Sequence, residues 1–188
     1  MKNRLQTLVL CAMMLALAFV LSLFKFDAPF RLGGSVTACS MLPLLVVAAK
    51  YGYKWGVPTA FLYALIQLLQ GVVEGDVFVW LETGGAVLLC VLFDYLVPFT
   101  VLGLGGFLRK RGRLGIYIGM ATVMAARFVS HFITGVVIWG QWAEGSSPFI
   151  YSLLYNGGYM LPEIILTVAA AAVLFESRVL NIGEKTAS

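Results

Sequence analysis

Four ionisable side chains lie within long apolar stretches of the sequence: Asp94, Arg127, His131 and Glu163. An ionisable group at membrane depth usually faces a cavity or a charged partner, because hydrocarbon does not solvate it. Asp94 can bind a cation or accept hydrogen bonds, and His131 can donate, accept or transfer a proton. Arg127 and Glu163 have opposite charges, so they are candidates for a structural ion pair or a bridge between helices. Asp94 could also be the partner of Arg127.

Aromatic and polar residues accompany these groups. His131, Gly135 and Trp139 are spaced by four, which predicts one stripe along a helix. Stacked rings suit a flat heteroaromatic ligand, a carboxylate and an amide can pair with its edge, and aromatic faces also bind cations. The same aromatic residues are also typical of the belt at a membrane surface, and His131 could instead bond another helix. The next apolar segment opens with Tyr151, Tyr155, Asn156 and Tyr159.

The composition shows what kind of protein positions these residues. Of the 188 residues, 61% are apolar and 12% are charged, and the mean hydropathy is +0.93. Soluble domains have about 45–50% apolar and about 25% charged residues, so a soluble globule is excluded. Three cysteines without a paired motif predict neither a disulfide framework nor a metal site.

Charged residues divide the chain into six apolar segments. About 20 apolar residues are needed for a helix to cross a bilayer core of about 30 Å. The second segment is too short for this, so a loop folded into the protein is expected to complete it. The sequence predicts an all-α integral membrane protein with one domain over residues 1–188. The six predicted transmembrane segments are residues 5–24, 36–49, 55–73, 83–108, 114–139 and 149–175.

Basic residues are distributed unequally between the two ends of these segments. With a cytoplasmic N-terminus, ten Lys and Arg fall on the cytoplasmic side and only Lys25 and Arg31 on the outer side. The positive-inside rule therefore predicts that both termini are cytoplasmic, and it explains the net charge of +4 without nucleic acid. At 1.5 Å per residue, Asp94, His131 and Asn156 lie about 16, 12 and 10 Å below the outer surface. They are expected to line an outward-facing pocket.

Several segments carry a family resemblance. Residues 126–139, with His131 and Trp139, and residues 151–157, with Tyr151 and Asn156, resemble the thiamin-specific S component of energy-coupling factor vitamin transporters. Further similarity lies in Phe93-Asp94-Tyr95, in Ser40-Met-Leu-Pro43 and in the pair of small residues Ala12 and Ala16 on the first segment.

The resemblance implies a six-helix protein of the bacterial cell membrane that binds thiamin near the outer face and has no ATPase of its own. Transport would require a transmembrane coupling subunit and two cytoplasmic ATPases, and the S component would topple in the membrane. Ala12 and Ala16 correspond to the surface that meets the coupling subunit. Neither a cofactor nor a metal is implied. The ligand-binding residues implied by position are Asp94, Tyr95, His131, Trp139, Tyr151 and Asn156.

The sequence departs from the family pattern in two places. Some members have a glutamate and a tryptophan in the first outer loop, where this chain has neither over Arg31–Ala38, so the contacts made by that loop are open. Asp94 occupies a position where some members have glutamate, which retains the charge and shortens the reach. A carboxylate disfavours anionic ligands, so thiamin phosphates are expected to bind less well than thiamin unless Arg31 or Lys25 compensates.

Three other functions are compatible with parts of the sequence. An intramembrane enzyme could use His131 and Asp94 as an acid–base pair, although no HExxH or GxSxG motif is present. An autonomous proton-coupled carrier could use the intramembrane ionisable residues as a relay, although no inverted repeat is apparent. An S component could instead serve another vitamin, or a pyrimidine or thiazole precursor.

Overall fold

The computed structural model describes residues 2–27, 35–74 and 78–177. Residues 31–34 of the predicted first outer loop lie outside these ranges. Four helical stretches are long and apolar enough to cross a membrane, judged by length and composition. These stretches are Arg4–Leu23, Tyr53–Glu74, Gly84–Val137 and Pro148–Glu176.

The part of the chain up to Glu74 combines two long helices with a hairpin and a short helix. Helix α1 spans Lys2–Leu23 and is followed by strands β1 (Lys25–Asp27) and β2 (Ser35–Thr37), which pair antiparallel. Helix α2 spans Leu42–Tyr51, and α3 spans Tyr53–Glu74.

The segment 36–49, expected to be a short helix completed by a loop, contains part of strand β2 and most of helix α2. It begins as strand β2, and Cys39 has a left-handed backbone (φ 58°) that ends the extended conformation before α2 begins. At 1.5 Å per residue, the ten residues of α2 measure about 15 Å, half the core of a bilayer. All residues from Pro43 to Ala49 are buried, so other helices surround α2 on every side.

The predicted segment 83–108 forms a broken helix, residues 84–104. It consists of α4 (Gly84–Cys90), a π-helical turn (Val91–Leu96), α5 (Val97–Thr100) and a 3-10 turn (Val101–Leu104). Pro98 explains the wide turn, because its ring has no N–H for the carbonyl of residue 94 and cannot fit a regular α-helix there.

The last two long helices lie against each other. A 3-10 turn (Arg109–Arg111) leads into α6 (Gly112–Val137), and a second 3-10 turn (Trp139–Trp142) leads towards α7 (Pro148–Glu176). Ser147 caps α7 by accepting a hydrogen bond from the Ile150 N–H at 3.2 Å. A single helical stripe of His131, Gly135 and Trp139 was predicted. Because α6 ends at Val137, Trp139 lies beyond the helix and outside that stripe.

Small residues allow close packing at the centre of the bundle. An added Cβ on Gly56 of α3 would overlap the carbonyl oxygen of Gly103, so the backbones of α3 and the broken helix are in contact there. Large buried side chains fill the space around this crossing. They include Tyr63, Leu102, Ile116, Met120, Met124 and Phe175.

Side-chain contacts define two ends of the bundle. At one end, the basic end, Arg109 Nη1 donates to the Lys50 carbonyl at 3.2 Å, and Arg113 Nη1 lies 2.6 Å from Glu176 Oε2. At the other end, the hairpin end, Lys25 Nζ lies 3.0 Å from Glu74 Oε2. Helix α3 therefore runs from the basic end to the hairpin end.

Candidate functional site

A cavity of about 430 Å³, the main cavity, lies between α3, the broken helix, α6 and α7. Trp139 and Tyr151 are close to the turn that joins α6 to α7, so the cavity occupies the half of the bundle nearer the hairpin end. Its lining residues are Gln67, Asp94, Tyr95, Phe99, His131, Gly135, Trp139, Tyr151, Tyr155, Asn156 and Tyr159.

Asp94 accepts hydrogen bonds from three side chains of the α6 region. Its Oδ1 lies 3.0 Å from His131 Nδ1 and also accepts from the Thr134 hydroxyl. Its Oδ2 accepts from Trp139 Nε1 at 3.1 Å. The Asp94 side chain is 13% exposed, so this carboxylate is largely removed from solvent and is held in one orientation.

His131 has one nitrogen on Asp94 and one without a partner. Its Nε2 is buried and makes no hydrogen bond within the described part of the chain. With Nδ1–H donating to Asp94, Nε2 of the neutral ring is a hydrogen-bond acceptor. His131 therefore offers an acceptor to a ligand that carries an N–H group.

The π-helical turn determines how Asp94 reaches this site. A π turn widens the helix and leaves a carbonyl without its usual partner. Ser130 of α6 donates to the Phe93 carbonyl at 2.6 Å, which joins the turn to α6 one residue before Asp94. The backbone contact and the side-chain contacts of Asp94 thus attach the broken helix to the same part of α6.

Three tyrosines of α7, spaced by four, also line the main cavity. The rings of Tyr151 and Tyr155 stack at a centroid distance of 5.8 Å, and those of Tyr155 and Tyr159 meet edge to face at 5.9 Å. The lining of the main cavity thus combines a carboxylate and an imidazole with phenol rings. This combination can bind a flat, cationic, aromatic ligand.

Asn156 connects α7 to α6 in this structure. Its Nδ2 donates to the His131 carbonyl at 3.3 Å and to the Ser152 carbonyl at 3.1 Å, while its Oδ1 accepts from the Tyr159 hydroxyl at 2.9 Å. Gly135 makes this approach possible, because an added Cβ would overlap the Ser152 hydroxyl and lie 2.9 Å from Asn156 Nδ2.

Three indole rings extend from the main cavity towards the hairpin end, and we call them the indole chain. Trp139 packs against Trp142 at a centroid distance of 5.5 Å, and Trp142 meets Trp80 edge to face at 6.5 Å. The Trp80 residue is 58% exposed and Trp142 is 39% exposed. The chain therefore runs from the buried Asp94 contact to the surface.

A second, smaller cavity of about 230 Å³ adjoins the main one. It contains the ion pair of Arg127 Nη1 with Glu163 Oε2, at 3.3 Å, and the Thr37 hydroxyl donates to the other oxygen of Glu163. Within the described residues, the ion pair that Arg127 makes is thus with Glu163, and the contacts of Asp94 are with the α6 region.

The structure brings the six predicted ligand-binding residues together. Asp94, Tyr95, His131, Trp139, Tyr151 and Asn156 all line the main cavity. Sequence reasoning missed Gln67 and Phe99, which line both cavities. Gln67 carried a usable signal, since an amide in the middle of an apolar segment needs a polar neighbour. Ala12 and Ala16 line neither cavity and are exposed on α1.

Comparisons with known proteins give a consistent result. A family model described as "Thiamine transporter protein" matches residues 8–181. The thiamine transporter ThiT of Bacillus subtilis is 30% identical, and the match covers 76% of each chain. ThiT of Lacticaseibacillus paracasei is 27% identical over 90% of this chain and 85% of its own. A solved structure of ThiT from Listeria monocytogenes has the same fold, with a TM-score of 0.71 at 22% identity, covering 93% of this chain and 96% of that one.

Proposed function

The chain belongs to the thiamine transporter protein family, a multi-pass membrane family, and from this we propose that it binds extracellular thiamin in the main cavity. In this proposal it is the S component of an ATP-driven energy-coupling factor transporter. It captures the vitamin and relies on other subunits for energy. The relatives it matches carry the names of transporters, so an intramembrane enzyme has no support beyond the Asp94–His131 pair.

The observation that carries the proposal is that the oriented carboxylate of Asp94 and the tyrosines of α7 line the same cavity. Thiamin has an aminopyrimidine with a donor and acceptor edge, a permanently cationic thiazolium and a hydroxyethyl tail. The buried carboxylate favours a cation, His131 Nε2 can accept from the amino group, and stacked phenol rings suit both heterocycles. Tyr95, Tyr151 and Asn156 are proposed as further ligand contacts.

The proposed topology has six membrane-embedded segments with both termini in the cytoplasm. The segments are α1, the short α2, α3, the broken helix, α6 and α7. Exposed basic residues support this orientation, because Lys50, Lys54 and residues 109–111 lie at the basic end, which the positive-inside rule assigns to the cytoplasm. The hairpin end, with the main cavity, is then extracellular.

The proposed partners are a transmembrane coupling subunit and two cytoplasmic ATPases. Ala12 and Ala16 of α1 are exposed and small, so a helix of the coupling subunit can approach the backbone of α1 closely there. The ligand is thiamin, and the proposal includes no metal, cofactor or nucleic acid.

Calorimetry on the detergent-purified protein tests the proposal. Thiamin is expected to bind stoichiometrically, while riboflavin and biotin are expected not to bind. In cells, uptake of labelled thiamin is expected only when the coupling subunit and both ATPases are co-expressed. Tight binding of riboflavin or biotin, with none of thiamin, would assign the chain to another vitamin.

An autonomous proton-coupled carrier is the second candidate, and one observation favours it. The Asp94–His131 and Arg127–Glu163 pairs lie in adjoining cavities that share the polar side chains of Gln67, Tyr155 and Tyr159, which could connect the pairs in a proton relay. Vesicles containing the protein alone separate the two candidates. Thiamin uptake driven by a pH gradient in such vesicles would favour the carrier, whereas binding without uptake favours the S component.

A further inference from the structure

Five exposed basic side chains at the basic end make no ion pair within the described residues. They come from two corners of the bundle, the one between α2 and α3 and the 3-10 turn that precedes α6. Glu176 lies at the same end, but its carboxylate is engaged by Arg113. We call the five residues the basic patch, and they are Lys50, Lys54, Arg109, Lys110 and Arg111.

Close backbone packing joins the two corners. Gly106 approaches α2 so closely that an added Cβ would overlap the Ala48 carbonyl oxygen. Arg109 Nη1 donates to the Lys50 carbonyl at 3.2 Å, and an added Cβ on Gly52 would lie 2.8 Å from the same nitrogen. The Arg109 guanidinium is therefore held against the corner between α2 and α3, and the five charges form one continuous patch.

The basic patch lies where two membrane-spanning helices begin. Helix α3 begins at Tyr53 and α6 at Gly112, and their 22 and 26 residues measure about 33 and 39 Å, enough to cross a bilayer core of about 30 Å. The patch is therefore expected at the level of the lipid headgroups. Five charges of one sign repel each other, so a counter-charge at this level would stabilise them.

Exposed apolar side chains beside the basic patch favour a lipid as the source of that counter-charge. Tyr53, Leu104, Phe107 and Leu114 are all exposed, and each lies within a few residues of a patch cation along the chain. A surface that combines cations with apolar groups matches a molecule with an anionic head and acyl chains. An acidic segment of a soluble protein would satisfy the charges and leave the apolar groups uncovered.

We propose that the basic patch binds the phosphate headgroup of an anionic phospholipid, with Arg109 as its oriented contact. A guanidinium suits this role because it pairs with phosphate oxygens through parallel hydrogen bonds. Binding holds the basic end in a leaflet that contains anionic lipid, which is the cytoplasmic leaflet in the proposed topology. The inference concerns the end of the bundle away from the main cavity and does not depend on which vitamin that cavity binds.

Native mass spectrometry of the intact protein in a neutral detergent tests the basic patch. The probes are phosphatidylglycerol and phosphatidylcholine with the same acyl chains, and the wild-type protein is expected to prefer phosphatidylglycerol. Lys54→Gln, Lys110→Gln and Arg111→Gln should each lower the affinity for phosphatidylglycerol by about fivefold and leave that for phosphatidylcholine unchanged. The effects should accumulate in the triple variant. All three side chains are exposed, so the melting temperature should change little.

Lys25→Gln is the matched control, because it removes one positive charge at the hairpin end, where Lys25 pairs with Glu74. It should retain the full preference for phosphatidylglycerol. Equal binding of the two lipids by the wild-type protein, or an undiminished preference in the folded triple variant, would overturn the proposal.

Two competition experiments separate a lipid from other anions. Inorganic phosphate should displace phosphatidylglycerol no better than sodium chloride of equal ionic strength, and specific displacement by phosphate would show that the patch binds a free anion instead. A soluble glutamate-rich peptide should bind more weakly than the lipid. Tighter binding of the peptide would assign the patch to an acidic protein partner and overturn the lipid site.

Discussion

Asp94, in the π-helical turn of the broken helix, combines burial and charge with three side-chain partners from α6 and the turn that follows it. The Nδ1 of His131, the hydroxyl of Thr134 and the Nε1 of Trp139 all contact its carboxylate. These contacts fix the direction of the negative charge before any ligand arrives. Preorganisation of this kind increases affinity because little ordering remains to be done on binding.

The substitution Asp94→Asn tests whether this charge binds the ligand. It should weaken thiamin binding by about ten- to hundredfold, since a charge-assisted hydrogen bond contributes roughly 1.5–3 kcal/mol and 1.4 kcal/mol corresponds to tenfold. Calorimetry measures the change, and the melting temperature of the ligand-free variant shows whether the protein is folded. Unchanged affinity in a folded Asp94→Asn protein would remove Asp94 from the binding site.

A structural role for Asp94 as the partner of Arg127 makes a different prediction. In that case Asp94→Asn would lower the melting temperature, and the double variant with Arg127→Gln would restore it. Because Arg127 contacts Glu163 at 3.3 Å, we expect no such recovery. The double variant should instead be less stable than Asp94→Asn alone, since it leaves Glu163 without its cation.

The types and order of the site residues could be predicted from the sequence, and their detailed geometry could not. Asp94, His131 and Asn156 lie in apolar segments, where polar side chains have few acceptable environments other than a shared cavity. Their similar depths below the outer surface were therefore enough to predict that they come together. Phe99 gave no signal, because a phenylalanine in an apolar segment resembles any core residue. Trp139 was expected on the helix of His131, but that helix ends at Val137.

Among the elements, the contact between α6 and α7 depends on a glycine that faces polar side chains. The substitution Gly135→Ala should destabilise the protein by about 1–3 kcal/mol, because the added methyl group overlaps Ser152 and crowds Asn156. Thiamin affinity should also fall, since both residues lie beside His131. Thermal unfolding and calorimetry on the same preparation measure the two effects.

Gly157 of α7 provides the matched control. An added Cβ there has no neighbouring atom within 4 Å, so Gly157→Ala introduces no overlap. Alanine is favoured over glycine in a helix by about 0.8–1.0 kcal/mol, so stability should be retained or slightly increased. Equal losses in the two variants would mean that the effect at Gly135 does not come from overlap with Ser152 and Asn156.

Charged residues predicted the ends of the long helices well, but they gave no information on local departures from regular helical structure. The predicted segment 149–175 agrees with α7 (Pro148–Glu176) within one residue at each end. Strand β2 within the predicted segment 36–49 was not expected, because apolar character does not distinguish a strand from a helix. The π-helical turn was also missed, although Pro98 marks where regular hydrogen bonding fails.

For the whole molecule, α1 carries the surface proposed for the coupling subunit. Ala12→Trp or Ala16→Trp should abolish thiamin uptake in cells that express the complete transporter, because a large ring prevents close helix contact. Thiamin binding by the purified variants should be nearly unchanged, since neither residue lines the main cavity or the second one. Leu17→Trp, at an exposed residue on a neighbouring face, should retain uptake. Equal loss of binding in the alanine variants would instead place this surface inside the protein.

The orientation of the bundle can be tested with single cysteines in a background lacking Cys11, Cys39 and Cys90. Glu144→Cys, in the turn between α6 and α7, should react with a membrane-impermeant thiol reagent added to intact cells. Lys110→Cys, at the basic end, should react only after the cells are permeabilised. Both positions are exposed, so accessibility within the protein does not distinguish them. The reverse labelling pattern would put the main cavity on the cytoplasmic side.

The indole chain has an optical consequence for the molecule as a whole. Three of the four tryptophans of the protein form the indole chain, and the fourth, Trp55, lies near the basic end. A cationic heterocycle that stacks near Trp139 should quench the emission of the protein, and Trp55→Phe should retain most of that quenching. Trp139→Phe should lose it, even at ligand concentrations that saturate the variant. Unlabelled protein can therefore report occupancy by its own fluorescence, which allows the rate of ligand entry to be followed in real time.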